Sequence, residues 1–121
     1  MLIAEAAAAS GLTIDTIRYY ERSGMLPAVA RGADGHRRFS REDVNWLTVL
    51  FWLRATGMTM QVMRRYATLV HAGDHTIPER RAILQEHGRQ LARRREELDR
   101  CEELLAYKLS AYDAVEQRRT A

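Results

Sequence analysis

The stretch "TIRYYER", residues 16–22, sets Arg18, Tyr19, Tyr20 and Arg22 side by side, and residues 18–41 hold six arginines against two acids. Arginine offers a planar fork of N–H donors that matches a guanine edge or a phosphate, and tyrosine joins a hydroxyl to a flat ring. Such a density of cations suits a surface that meets phosphates; a merely solvated basic face is the competing reading. The charge is placed unevenly. Residues 1–72 carry nine arginines and six acids, whereas residues 73–121 balance ten basic against ten acidic residues, so the whole net charge of +3 lies in the first part.

Other chemistries find little support. The chain has no glycine-rich phosphate loop, no nucleophile elbow and no metal-ligand spacing, so an enzyme is not expected, nor a cofactor. One cysteine, Cys101, excludes an intramolecular disulfide framework and a multi-cysteine metal site within one chain. His71, His75 and His87 are scattered near a helix start and read as solvated or capping residues, so no metal site is assigned. No apolar run is long enough to cross a bilayer and no secretory leader is visible, which gives the expectation of a cytoplasmic protein away from membranes.

These residues must be positioned by short helices. Ile3, Ala6 and Ala7 share the inner face of a first helix that Gly11 ends. Thr13 then caps a second helix, in which Ile14, Ile17 and Tyr20 face inward and Asp15, Arg18, Tyr19 and Arg22 form a polar stripe, with Arg22 able to pair with Asp15. Gly24 closes it. Two helices joined by a glycine turn make a helix-turn-helix pattern. Residues 28–39, "AVARGADGHRRF", have no helical period, and Asp34-Gly35 suits a hairpin between two very short strands, a wing. Ser40 and Asp43 predict a capping box for a third helix, with Val44, Leu47, Leu50, Phe51 and Leu53 on its apolar side. Thr59 caps a fourth, whose core stripe is Val62, Met63, Tyr66, Leu69 and Val70.

The remainder predicts one long helix, opened by a Thr76/Glu79 capping box around Pro78. Leu84, Leu91, Leu98, Leu105 and Tyr112 recur every seventh residue, a coiled-coil stripe whose intervening positions, His87, Arg94, Cys101 and Lys108, are mostly polar. From residue 77 to 112 such a helix runs roughly 54 Å at 1.5 Å per residue, too long for a head of this size to cover, so its leucines call for a second chain. Cys101, at the seam, reads as a packing thiol that an effector signal does not need. The expected architecture is mainly α, with a winged helix-turn-helix head over 1–73 and a dimerisation helix with a short tail over 74–121.

With these elements in order, the sequence resembles the MerR family of bacterial transcription regulators. The opening pattern is "IAEAAAASGLTIDTIRYYERSGML", followed by the wing pattern "GHRRF", the helix start "SREDV" and the turn "LRATGMTM". The stretch "GDHTIPERRAILQEH" resembles a compact branch without a separate effector-binding domain. The resemblance implies that the last helix pairs antiparallel with its mate. It also implies that Arg18 and Tyr19 meet DNA, that Thr16 donates to a phosphate, and that Arg37 is the wing arginine, flanked by His36 and Arg38. His36 and Arg38 are expected to join these DNA contacts, and His36 and Phe39 stand where wing tyrosines are frequent, so Phe39 offers no hydroxyl to a phosphate. Metal-responsive relatives cluster cysteines at the start of the long helix, and aldehyde-responsive ones carry a cysteine before the "LRxTGM" turn, where this chain has Trp52.

The function implied is a homodimeric regulator that binds a near-palindromic site in double-stranded promoter DNA and distorts an overlong spacer, reaching RNA polymerase indirectly through the promoter. A small-molecule or stress effector is unidentified. An architectural DNA-bending protein of the excisionase-like type is the alternative, and the long self-pairing helix argues against it.

Overall fold

The computed structural model describes residues 1–27 and 29–121. Its described residues form α1 (Ile3–Ser10), α2 (Ile14–Arg22), α3 (Arg41–Ala55), α4 (Met60–Ala72), a 3-10 turn (Asp74–Thr76) and α5 (Ile77–Thr120). They gather into two compact units, Met1–Leu84 and Gln85–Ala121. The first two turns of α5 thus count with the head, and Ile83 packs on the head's core.

Local chemistry explains the helix starts. The Thr13 side chain accepts the Thr16 N–H at 3.1 Å, Ser40 and Asp43 exchange reciprocal bonds, and the Thr59 side chain accepts the Val62 N–H at 3.2 Å, so each helix has an orphan donor satisfied. α1 packs on α2 and α3, and α4 on α3 and the 3-10 turn. Their shared interior holds Ala6, Ile17, Met25, Leu47, Leu50 and Met63, all essentially removed from water, with Tyr20 and Phe39 beside them. This burial is the main favourable term holding the head. In α4 the buried stripe is Met63, Ala67 and Leu69; Val62, expected inside, is exposed. Trp46 donates its ring N–H to the Met25 carbonyl at 2.7 Å and stacks on Tyr66, whereas Trp52 is 60% exposed and touches Phe51 edge-on.

Gly11 joins α1 to α2 with φ +86°, and a Cβ there would lie 3.3 Å from the Phe51 ring. Gly24, φ +78°, would place its Cβ in open space. Gly11→Ala is therefore expected to cost about 1–2 kcal/mol of left-handed strain plus the displacement of Phe51, and Gly24→Ala the strain alone. Urea denaturation of both variants checks this; equal losses would remove the Phe51 contact from the account.

The start of α5 departs from expectation. Thr76 does not cap it: its hydroxyl donates to the carbonyls of Leu69 at 2.5 Å and Gly73 at 2.7 Å and accepts from Arg80 Nε at 2.9 Å. Glu79 pairs with Arg65 of α4 at 2.7 Å instead of reaching back. Thr76 is buried and its hydroxyl is claimed by the end of α4, so a reciprocal box with Glu79 does not form.

In the second unit most side chains stand in solvent; His87, expected to be solvated or capping, is instead buried, at 7% exposure. Leu98, Leu105 and Tyr112 are more than half exposed, Leu104, Tyr107 and Leu109 more so, and Leu91 is half-buried. Cys101 is exposed in the single chain; the seam expected to shield it requires a second helix. Arg89 and Arg93 flank Glu86, and the hydrogen bond from Arg89 holds the Glu86 carboxyl below its ordinary value.

Candidate nucleic-acid interface

α2 presents its polar stripe because Ile17 and Tyr20 are drawn into the core, which leaves Arg18 outward and Tyr19 at the edge. Burial pushes the Tyr20 phenol up, with Arg54 acting in the opposite sense, so Tyr20 is a neutral core residue. Of the two readings open for Arg22, a pair with Asp15 or solvent, the first does not apply: Asp15 is met by Arg18, three residues on, at 3.9 Å. With the Arg18 side chain 53% exposed, this pair leaves its guanidinium available to a ligand.

The wing is one antiparallel bridge, Arg31 with Arg37, in place of two strands. Bonds from Gly32 N–H to the His36 carbonyl and from Arg38 N–H to the Ala30 carbonyl flank it, and Gly35 turns the chain at φ +81°. The expected wing segment begins at residue 28, which lies outside the described residues. At the exit, Met1 and Phe39 exchange two backbone bonds, 2.9 Å and 2.7 Å, that fasten the wing to the first residue.

Two ion pairs set the wing's side chains. Arg37 Nε donates to Glu21 Oε1 at 2.6 Å, tying the wing to α2 and leaving the outer edge of the guanidinium uncommitted. Arg38 reaches Asp34 at 2.9 Å and passes over Gly32, where a Cβ would meet Arg38 Nε at 2.8 Å. The Asp34 carboxyl is held below its ordinary value, first by the N–H of His36 and further by Arg38. These bonds favour the ordered wing above the carboxylate range and are lost as pH falls through the lowered value.

Between α2 and the wing lies a concavity of about 300 Å³ lined by Leu2, Ile3, Ala4, Arg18, Arg31, His36 and Arg37. Of the residues singled out from sequence, Arg18, His36 and Arg37 meet here; Thr16, Tyr19 and Arg38 lie outside its lining. Thr16 sits on the first turn of α2 with its hydroxyl 2.8 Å from that of Thr13. Arg31 was not anticipated, nor was Arg64 of α4, whose Nη2 donates to the Tyr19 hydroxyl at 2.6 Å. Arg31 was legible as one of the six clustered arginines; Arg64 lies 45 residues from its partner and carried no local signal.

Three arginines and a histidine surround one opening, a basic surface with no carboxylate in its lining and a chemistry suited to anions. Among the described residues no group of three or more His, Cys, Asp or Glu is placed to hold a metal, and no helix is long and apolar enough to cross a membrane.

The family model described as MerR HTH family regulatory protein matches residues 1–69. An uncharacterised HTH-type transcriptional regulator of Haemophilus influenzae is 38% identical over 109 residues, covering 90% of this chain and 81% of the relative. The HTH-type transcriptional regulator AdhR of Bacillus subtilis is 37% identical over 91 residues, 75% of this chain and 65% of AdhR. The crystal structure of HiNmlR, described as a MerR family regulator lacking the sensor domain, bound to promoter DNA, superposes with a TM-score of 0.82 at 37% identity, covering 93% of this chain and 89% of that one. With the family match covering more than half of the sequence and these regulators aligning along most of it, this chain belongs to the MerR family.

Proposed function

We propose that the protein acts as a homodimer on a near-palindromic promoter site, each head placing α2 in a major groove and its wing on the adjoining backbone. The observation that carries this reading is the concavity shared by Arg18, Arg31, His36 and Arg37, which gathers cations from both elements of the winged head. Arg18 reads a base edge, and Thr16, Tyr19, His36, Arg37 and Arg38 fix register through phosphate and sugar. Leu84, Leu91, Leu98, Leu105 and Tyr112 pair with the same stripe of a second chain, which sets the distance between heads.

The same reading includes distortion of the promoter. Bending and untwisting an overlong spacer costs several kcal/mol, on the order of 1–6 for a site of this kind, and contacts from two heads and two wings supply the offset. RNA polymerase then responds to the altered promoter without touching the regulator. The direct experiment compares retention by a promoter fragment from beside the protein's own gene with retention by random DNA at two salt concentrations. Selective retention that weakens with salt is expected; equal retention on both DNAs would defeat the reading.

A further inference from the structure

Arg64 stands on α4, outside the helix-turn-helix and the wing, and its side chain is bound to a residue of α2. Its Nη2 donates to the Tyr19 hydroxyl at 2.6 Å, and the pair is exposed. Among the described residues Arg64 has no carboxylate within ion-pair distance, whereas its neighbour Arg65 is committed to Glu79 at 2.7 Å. A guanidinium carries five N–H donors, so one bond to Tyr19 leaves the others unspent. A phenol that accepts from arginine has its own proton left to donate.

We propose that Arg64 and Tyr19 together form a two-point receptor for one backbone phosphate, so that α4 supplies an anion contact in addition to α2 and the wing. The geometry is reciprocal. Arg64 holds the Tyr19 oxygen in one orientation, the Tyr19 O–H then points to an oxygen of the phosphate, and a second guanidinium N–H reaches another oxygen of the same group. Charge assistance makes both bonds stronger than neutral ones. The flat fork is essential: lysine at the same place retains the charge but offers no fixed second donor while bound to the phenol. Tyr19 accordingly acts as half of a phosphate site, and its position is fixed from α4.

This inference rests on the DNA-binding reading above, and the test separates the two. Promoter binding is measured across a salt series for wild type, Arg64→Gln, Arg64→Lys, Tyr19→Phe and the Arg64→Gln/Tyr19→Phe double variant. Far-ultraviolet circular dichroism verifies that the exposed substitutions leave the head folded. Arg64→Gln is expected to weaken binding about tenfold on every sequence and to flatten the log–log salt dependence by roughly one unit per head. Tyr19→Phe should weaken binding without that change in slope, Arg64→Lys should retain the slope but lose affinity, and the double variant should be no weaker than Arg64→Gln alone. If wild type binds the promoter and Arg64→Gln has its affinity and slope, the pair is only a tether between α2 and α4 and the receptor is wrong. Additive losses in the double variant would also overturn it, by showing two independent contacts. If wild type fails to bind DNA at all, the functional reading fails and this inference with it.

Discussion

Replacing Leu91 and Leu98 together with Asp is expected to leave monomers at micromolar concentration whose affinity for a full promoter site falls about 10²–10⁴-fold. The magnitude is the avidity lost when two linked heads become one. Leu98 is 59% exposed in the single chain, and the same stripe continues through Leu105 and Tyr112. Two carboxylates in a paired seam cost roughly several kcal/mol, because each must leave water without a partner. Neither residue belongs to the core formed by Ile17, Leu47, Leu50 and Met63, so the head should keep its fold and half-site contacts. Sedimentation and a full-site titration check both parts. A monomeric wild type, or a double variant that still dimerises, would show that the stripe does not pair.

Arg18→Ala and Arg37→Ala should weaken DNA binding in different ways. Arg18 projects from α2 with only a long contact to Asp15, so it has the freedom to fork onto a base edge. Its loss is expected to remove about 1–3 kcal/mol of discrimination and to relax the sequence preference at one position in each half-site. Arg37 is anchored by Glu21, and the proposed function assigns its outer edge to a phosphate. Its loss should lower affinity similarly on all sequences and reduce the salt slope by about one per head. There is a second consequence. Without Arg37 the Glu21 carboxylate, 20% exposed, loses its guanidinium partner, so Glu21→Gln in the Arg37→Ala background should recover part of the affinity. Footprints and salt titrations distinguish the two variants; unchanged specificity without Arg18 would remove it from base readout.

The head's elements were legible wherever a short-range rule governed them. Thr13, Ser40 and Thr59 announce their helices because a cap is settled within three residues, and Ile17 and Tyr20 announce the inner face of α2 by helical spacing. The same kind of rule misled at Thr76 and Glu79, where a cap-like spacing was overridden by tertiary partners, the Leu69 carbonyl and Arg65. Asp15 lies within helical reach of more than one arginine, and sequence spacing does not say which guanidinium approaches it. In the wing, "GADGHRRF" signals a turn, but turn residues alone do not set how many rungs follow, and among the described residues one forms, Arg31 with Arg37. The site divides in the same way: Arg18 and Arg37 stand out in a local cluster, whereas the partnership of Tyr19 with Arg64 exists only after α2 and α4 pack.

The two tryptophans give the head an optical consequence. Trp46 is stacked on Tyr66 and bonded through its ring nitrogen, whereas Trp52, six residues further along the same helix, is 60% exposed. One indole is screened by its neighbours and the other is open to a water-borne quencher such as iodide. Their emissions therefore separate without an added label: the iodide-quenched component reports what comes to cover α3, and the protected component reports whether α3 and α4 remain packed.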